Sequence, residues 1–124
     1  MRVIVCGGRD YPDDVRVRAV LDAGVDGQPI TEIAEGGADG ADMHAQEWAF
    51  IRGIPCQTYE ADWRLYGKSA GPIRNAQMLR EFAPDAVIAF PGGRGTADMI
   101  RQARAAGVRV IEIPHSADAA REQT

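Results

Sequence analysis

The chain has 124 residues, 45% of them hydrophobic and 26% charged, which suits one globular domain with a single core. Its net charge of -4 argues against a protein that coats nucleic acid, since such domains are usually basic. Cys6 and Cys56 have no CxxC partner and sit in apolar runs, so they are expected to be buried free thiols of a reducing compartment.

In chain order, Val3 to Cys6 is a continuous apolar run, as a strand buried on both faces requires, and Gly7-Gly8 ends it. No signal-peptide apolar region precedes it and no run reaches membrane-spanning length, so a cytoplasmic location without a membrane is expected. Asp13 or Asp14 is positioned to cap a helix with Val15, Ala19, Val20 and Ala23 as its apolar positions, closed by Gly24. Ile30 to Ala34 predicts a second strand ending at Gly36-Gly37. Ala41, Ala45, Trp48 and Ala49 then predict an amphipathic helix that Gly53 stops. Ile54 to Tyr59 reads as a third strand and Asp62 to Gly71 as a loop. Pro72 opens a helix with Ile73, Ala76, Met78, Leu79 and Phe82 on its apolar side. Ala86 to Phe90 predicts the most buried strand, followed by a helix from about Thr96 to Ala106 and a last strand from Val108 to Ile113. Residues 1–114 thus form the domain, and residues 115–124 a polar tail expected to fray.

Five strands separated by helices predict a Rossmann-like α/β fold, a doubly wound parallel five-stranded sheet of order 3-2-1-4-5. In that order the winding reverses between the first and fourth strands, and a ligand is expected beyond their C-terminal ends. The glycine-rich turn at Gly7, Gly8, Arg9 and Asp10 flanks that crevice, as does the one at Gly92, Gly93, Arg94, Gly95 and Thr96. The turn with Gly36, Gly37, Asp39 and Asp42 lies beside them. A glycine turn brings bare backbone N–H groups close to an anion, and a helix N-terminus adds roughly half a positive charge. Thr96 is a candidate helix cap or hydroxyl donor to phosphate, and Arg94 a candidate for a charge-assisted bond. A single pair of glycines is most simply a turn; three such turns at one sheet edge point to a phosphate-bearing ligand.

Gly67-Lys68-Ser69 resembles the end of a P-loop, but that pattern needs a glycine where Asp62 stands. Tyr11, Trp63 and Tyr66 are candidates for stacking on a base, though loop aromatics often only pack on the domain. Cys6, His44 and His115 lack metal-ligand spacing, so no metal site and no cofactor are expected, and His44 is expected to be half-exposed and structural.

The segments Gly7–Tyr11, Gly36–Asp42, Ala61–Trp63, Tyr66–Lys68, Ala70–Asn75 and Phe90–Met99 together resemble the YspA-like branch of the SLOG superfamily, which is common in bacteria and their phages. Wider relatives are the Lonely Guy phosphoribohydrolases, the DNA-processing protein A, and sensor domains for cyclic ADP-ribose-type signals. The resemblance implies the fold above, a nucleotide-type small-molecule ligand and a homodimer, with the Ala- and Met-bearing faces around Ile73–Phe82 and Thr96–Ala106 as the pairing surfaces. Lys68 and Asn75 join the loop residues as ligand-binding candidates. The Lonely Guy enzymes carry PGGxGTxxE with an arginine on the preceding helix. Pro91 to Thr96 match, and Arg74 falls where the arginine would be, but Met99 occupies the glutamate position. A thioether supplies neither charge nor base, so catalysis would fall to Arg74 with Asp98, one residue away and about 100° around the helix. Binding of a phosphorylated nucleotide or nucleotide-derived ligand is therefore the first expectation. A phosphoribohydrolase acting on nucleoside 5′-monophosphates is the second, and single-stranded DNA binding, which the acidic balance disfavours, the third.

Overall fold

The structure, a computed structural model, describes residues 1–115; residues 116–124, nearly all of the polar tail, lie outside the described residues. The elements run β1 (Arg2–Cys6), α1 (Asp14–Ala23), β2 (Glu32–Glu35), α2 (Ala41–Arg52), β3 (Cys56–Thr58), α3 (Trp63–Tyr66), a 3₁₀ turn at Gly67–Ser69, α4 (Ala70–Phe82), β4 (Ala86–Ala89), α5 (Arg94–Ala105) and β5 (Arg109–Glu112). All five strands pair in parallel in the order β3-β2-β1-β4-β5.

Strand alternation divides the core into two layers. Val3, Val5, Ile33 and Ile88 point to one face, where Val17 and Leu21 of α1 and Ala45, Trp48 and Ala49 of α2 cover them. Ile4, Ala34 and Val87 point to the other, under Met78 and Phe82 of α4 and Met99 and Ala103 of α5. Each of the larger side chains stabilises the fold by roughly 1.5–3 kcal/mol on full burial, which is why the two central strands carry apolar residues on both faces.

Several elements differ from the sequence expectation. The α1 face that packs is Val17 and Leu21, while Val15 is 64% exposed and Ala19 and Ala23 face water. Val15, Val17, Val20 and Leu21 allow two helical stripes, and only contact with α2 chooses between them. The loop expected over 62–71 contains α3, capped by the Asp62 carboxylate accepting from the Leu65 N–H at 3.1 Å, and α4 begins at Ala70. Pro72 sits inside the first turn of α4, where its missing N–H costs no helical bond. Ile73 of the expected stripe is exposed, and Asn75 turns inward in its place. Helix α5 starts two residues early, with Gly93 rather than Thr96 at the cap position. Cys56 is an exposed residue of edge strand β3, not a buried one, and Cys6 is partly buried; both are free. On the helix faces that the resemblance implies for pairing, Met78, Phe82, Met99 and Ala103 are buried in the chain's own core, while Ile73 is exposed.

Candidate functional site

The three glycine turns meet above the C-terminal ends of β1, β2 and β4. The Gly8 N–H donates to the Pro91 carbonyl at 2.9 Å, and the Ala41 N–H donates to the Gly8 carbonyl at 3.2 Å. This contact explains particular glycines. Gly40 has φ +71°, and a Cβ there would strike the Gly8 and Arg9 carbonyl oxygens; a Cβ on Gly92 would strike Thr96 Oγ1 and lie 2.7 Å from the Gly8 nitrogen. A Cβ on Gly93 or Gly95 would instead meet open space. Some glycines thus let the loops touch, and others leave the wall of a cleft bare.

The cleft has a volume of about 1740 Å³. Its walls include every residue singled out from the loops: Gly7 to Asp10 after β1; Gly36, Gly37, Asp39 and Asp42 after β2; Gly92 to Thr96 after β4. Lys68, Arg74, Asn75 and Asp98 line it as well, together with Glu60 and Arg101, which the sequence did not single out. The N-terminus of α5 opens onto it. Gly93 supplies no capping side chain, Arg94 and Gly95 are exposed, and Thr96 is buried within the first turn. The first amides of a 12-residue helix are therefore presented with its positive dipole end.

Arg74 joins the β2 side of the cleft to the α5 side. Its Nη1 donates to the carbonyls of Gly36 at 2.9 Å and Tyr59 at 3.3 Å, and its Nε donates to Asn75 Oδ1 at 2.9 Å. Asn75 Nδ2 in turn donates to the Gly95 carbonyl at 3.2 Å and to Asp98 Oδ2 at 2.9 Å. Asp98 also accepts from Arg101 at 2.6 Å and from Gln102 at 2.7 Å. Its carboxylate is thus engaged by three side chains and locks α4 to α5.

Two buried carboxylates stand on the β2 side. Glu35, with no exposed surface, accepts from the Gly37 N–H at 2.7 Å, Thr58 Oγ1 at 2.6 Å and Gln46 Nε2 at 2.9 Å, and so pins the Gly36-Gly37 turn. Sequence reading passed it over; its only signal is a carboxylate closing the apolar strand Ile33-Ala34 just before two glycines. Asp42 is 6% exposed. Its Oδ2 accepts from the Ala38 N–H at 3.2 Å, and its Oδ1 is buried with no hydrogen-bond partner. Burial pushes its pKa up to about 7, helped by the negative charge of Glu35 and opposed by the Ala38 N–H and the Arg74 guanidinium.

The aromatic candidates separate. Trp63, about half-exposed, lines the cleft, and the Arg9 guanidinium carbon lies 5.8 Å from its ring centroid. Tyr11 also lines the cleft, but its ring packs 5.4 Å from that of Phe90 and its hydroxyl is buried without a partner. Tyr66 is exposed away from the cleft walls. His44 is half-buried, its Nε2 3.0 Å from the Tyr11 carbonyl.

The sequence profile of the YspA, cpYpsA-related SLOG family matches residues 1–66. The Gene 61 protein of Mycobacterium phage D29 is 37% identical over 120 residues, spanning 90% of this chain and 95% of that protein. The chain belongs to this SLOG family. Its fold is shared by DNA processing protein A (DprA) from Streptococcus pneumoniae, with a TM-score of 0.70 at 19% identity over 93% of this chain. It is also similar to UDP-GlcNAc 2-epimerase from Neisseria meningitidis bound to UDP-GlcNAc, with a TM-score of 0.54 at 15% identity over 91% of this chain. The chain spans 50% of the DprA chain and 32% of the epimerase chain, so these similarities concern only part of each.

Within this SLOG domain Met99 is 1% exposed and belongs to the core layer of Ile4, Met78 and Phe82. Among the described residues no cluster of three or more His, Cys, Asp or Glu side chains is arranged to hold a metal ion. No helix of the described residues is long and apolar enough to cross a membrane.

Proposed function

We propose that this SLOG domain binds a phosphorylated nucleotide or nucleotide-derived small molecule in the cleft above β1, β2 and β4. The observation that carries the reading is the uncapped N-terminus of α5, whose Gly93 and Gly95 leave backbone bare beside Arg94, in a cleft that Arg9, Lys68 and Arg74 also line. Unsatisfied amides, a helix dipole and arginine together favour a phosphate over a neutral ligand.

Binding is favoured over hydrolysis of the N-glycosidic bond. The position of the hydrolases' glutamate is a core methionine, and the neighbouring Asp98 spends its oxygens on Asn75, Arg101 and Gln102. Arg74 then serves as the cation that frames the site, and Asp98 as the group that positions Asn75. A homodimer of this domain would use apolar side chains that remain outside the core, such as Leu65 and Ile73.

A ligand that binds only the folded state stabilises it by about 2.7 kcal/mol at a hundredfold excess over Kd. Thermal melts with nucleoside monophosphates, ADP-ribose and short single-stranded DNA test the reading. An upward shift with the small anions supports it. A shift with DNA alone, abolished by high salt, replaces it with strand binding.

A further inference from the structure

We propose that Trp63 and Arg9 form the two walls of a slot for a planar heteroaromatic ring, so that the cleft recognises a base as well as a phosphate. This rests on the phosphate reading above and adds to it which part of the ligand sets specificity.

Trp63 begins α3, a helix of one turn held at its start by the Asp62 cap. Its indole leans on α4 at Gly71, where an added Cβ would lie 3.4 Å from the ring, so the short wall at 71 fixes where the ring stands. Trp63 is 49% exposed and borders the cleft. An aromatic face left open beside a cavity is available to stack on a ligand ring. The other aromatics in reach are committed elsewhere, Tyr11 to Phe90 and Tyr66 to the outer surface.

Arg9 supplies the opposite wall. Its guanidinium carbon stands 5.8 Å from the Trp63 centroid, near the outer limit of a cation–π contact, whereas Arg2 lies 4.2 Å above Phe82 in the same molecule. A ring inserted between two planes needs about 7 Å, two contacts of roughly 3.5 Å each. An outward movement of about 1–1.5 Å by the exposed Arg9 side chain would therefore admit it. The loose contact exchanges for two closer ones, indole on base and guanidinium on base, both of which every nucleobase can make. Arg9 follows Gly8, which is bonded to Pro91 just before the α5 amides, so one molecule can present its phosphate to α5 and its base to the slot.

The test compares AMP, GMP, CMP and UMP with ribose 5-phosphate by titration calorimetry on the full chain. The wild type is expected to bind at least one mononucleotide roughly 5- to 150-fold tighter than ribose 5-phosphate, the range seen for a stacked aromatic. Trp63→Leu should bring that mononucleotide to the ribose 5-phosphate level while leaving ribose 5-phosphate affinity unchanged, and Arg9→Gln should lose part of the advantage. Indole fluorescence gives a readout on the wild type alone. Trp48 is buried and bonded to Asp22 at 2.9 Å, so quenching by the mononucleotide reports Trp63. Binding of ribose 5-phosphate with no mononucleotide advantage, an advantage that survives Trp63→Leu, or saturation without quenching overturns the slot but leaves the phosphate site standing. Binding of none of these probes overturns both.

Discussion

Asp42→Asn gives the most direct check on the electrostatics of the cleft. Burial holds the Asp42 carboxyl at about 7 against its ordinary 3.8, with Glu35 adding to the shift and the Ala38 N–H and Arg74 opposing it. An acid whose folded pKa lies above its unfolded one costs nothing below pH 3.8, where both states hold the proton. The cost grows as pH rises towards 7 and is constant above that. Roughly three pH units at about 1.4 kcal/mol each set a ceiling near 4 kcal/mol. Asparagine keeps an oxygen for the Ala38 N–H and removes the charge, but it buries an amide with no partner at the Oδ1 position, which offsets about 1–2 kcal/mol. The variant should therefore exceed the wild type by about 2–3 kcal/mol at pH 8, and the difference should reverse near pH 4, where only the amide penalty remains and the variant falls about 1 kcal/mol below the wild type. Urea denaturation followed by circular dichroism between pH 4 and 8.5 measures it. Parallel pH profiles, or a wild type that gains on the variant as pH rises, would refute the reasoning.

Gly95→Ala should stabilise the fold by about 0.4–1 kcal/mol, because alanine restricts the unfolded chain more than glycine and its Cβ meets open space in the first turn of α5, yet it should weaken binding of a nucleoside monophosphate by narrowing the cleft. Gly92→Ala should cost about 1–3 kcal/mol in chemical denaturation, since its Cβ would collide with Thr96 and the Gly8 backbone; equal stability to the wild type would deny the contact between those loops. Glu35→Ala should cost about 1–3 kcal/mol, because it removes the acceptor shared by the part-buried hydrogen bonds from Gly37, Thr58 and Gln46, and hydrogen exchange should show the Gly36–Gly37 turn opening first.

What the chain discloses in advance depends on how local the cause is. β1 and β4 are legible because a strand covered on both faces must be apolar at successive positions, and the crossover rule then orders the sheet. The position of the cleft follows from the sheet order and the three glycine turns. The helical stripe of α1 is not legible, because its valines fit two phases and only Trp48 and Ala49 of α2 decide. Helix α3 leaves no periodic trace, since four residues make one turn and a single aspartate cap starts it. The glycines look alike in sequence, but Gly92 is small because another loop touches it while Gly93 borders open space. Glu35 is hidden for the same reason: its side-chain partners, Gln46 and Thr58, come from α2 and β3, far from it in the chain.

Met99 connects the fold to the question of catalysis. From sequence, Met99→Glu would complete a Thr-x-x-Glu capping box with Thr96 and be tolerated, but Gly93 is the cap and position 99 is inside the core layer of Ile4, Met78 and Phe82. An isolated carboxylate there must take a proton, desolvate, or pull the start of α5 out of register. Its folded pKa would be raised, so stability is retained where both states hold the proton and is lost as pH rises through the interval between the two pKa values. At pH 8 the variant should be destabilised by about 3–5 kcal/mol, with the deficit shrinking towards pH 4.5. Met99→Leu, matched in volume, should cost under about 1.5 kcal/mol and control for packing. If Met99→Glu is instead as stable as the wild type at pH 8, the carboxylate has reached the cleft that Met99 borders. In that event free base released from AMP should be measured directly, since the domain would then be one substitution away from a group placed for acid–base work. A destabilised variant that releases no base fits the binding reading, in which this position serves the core.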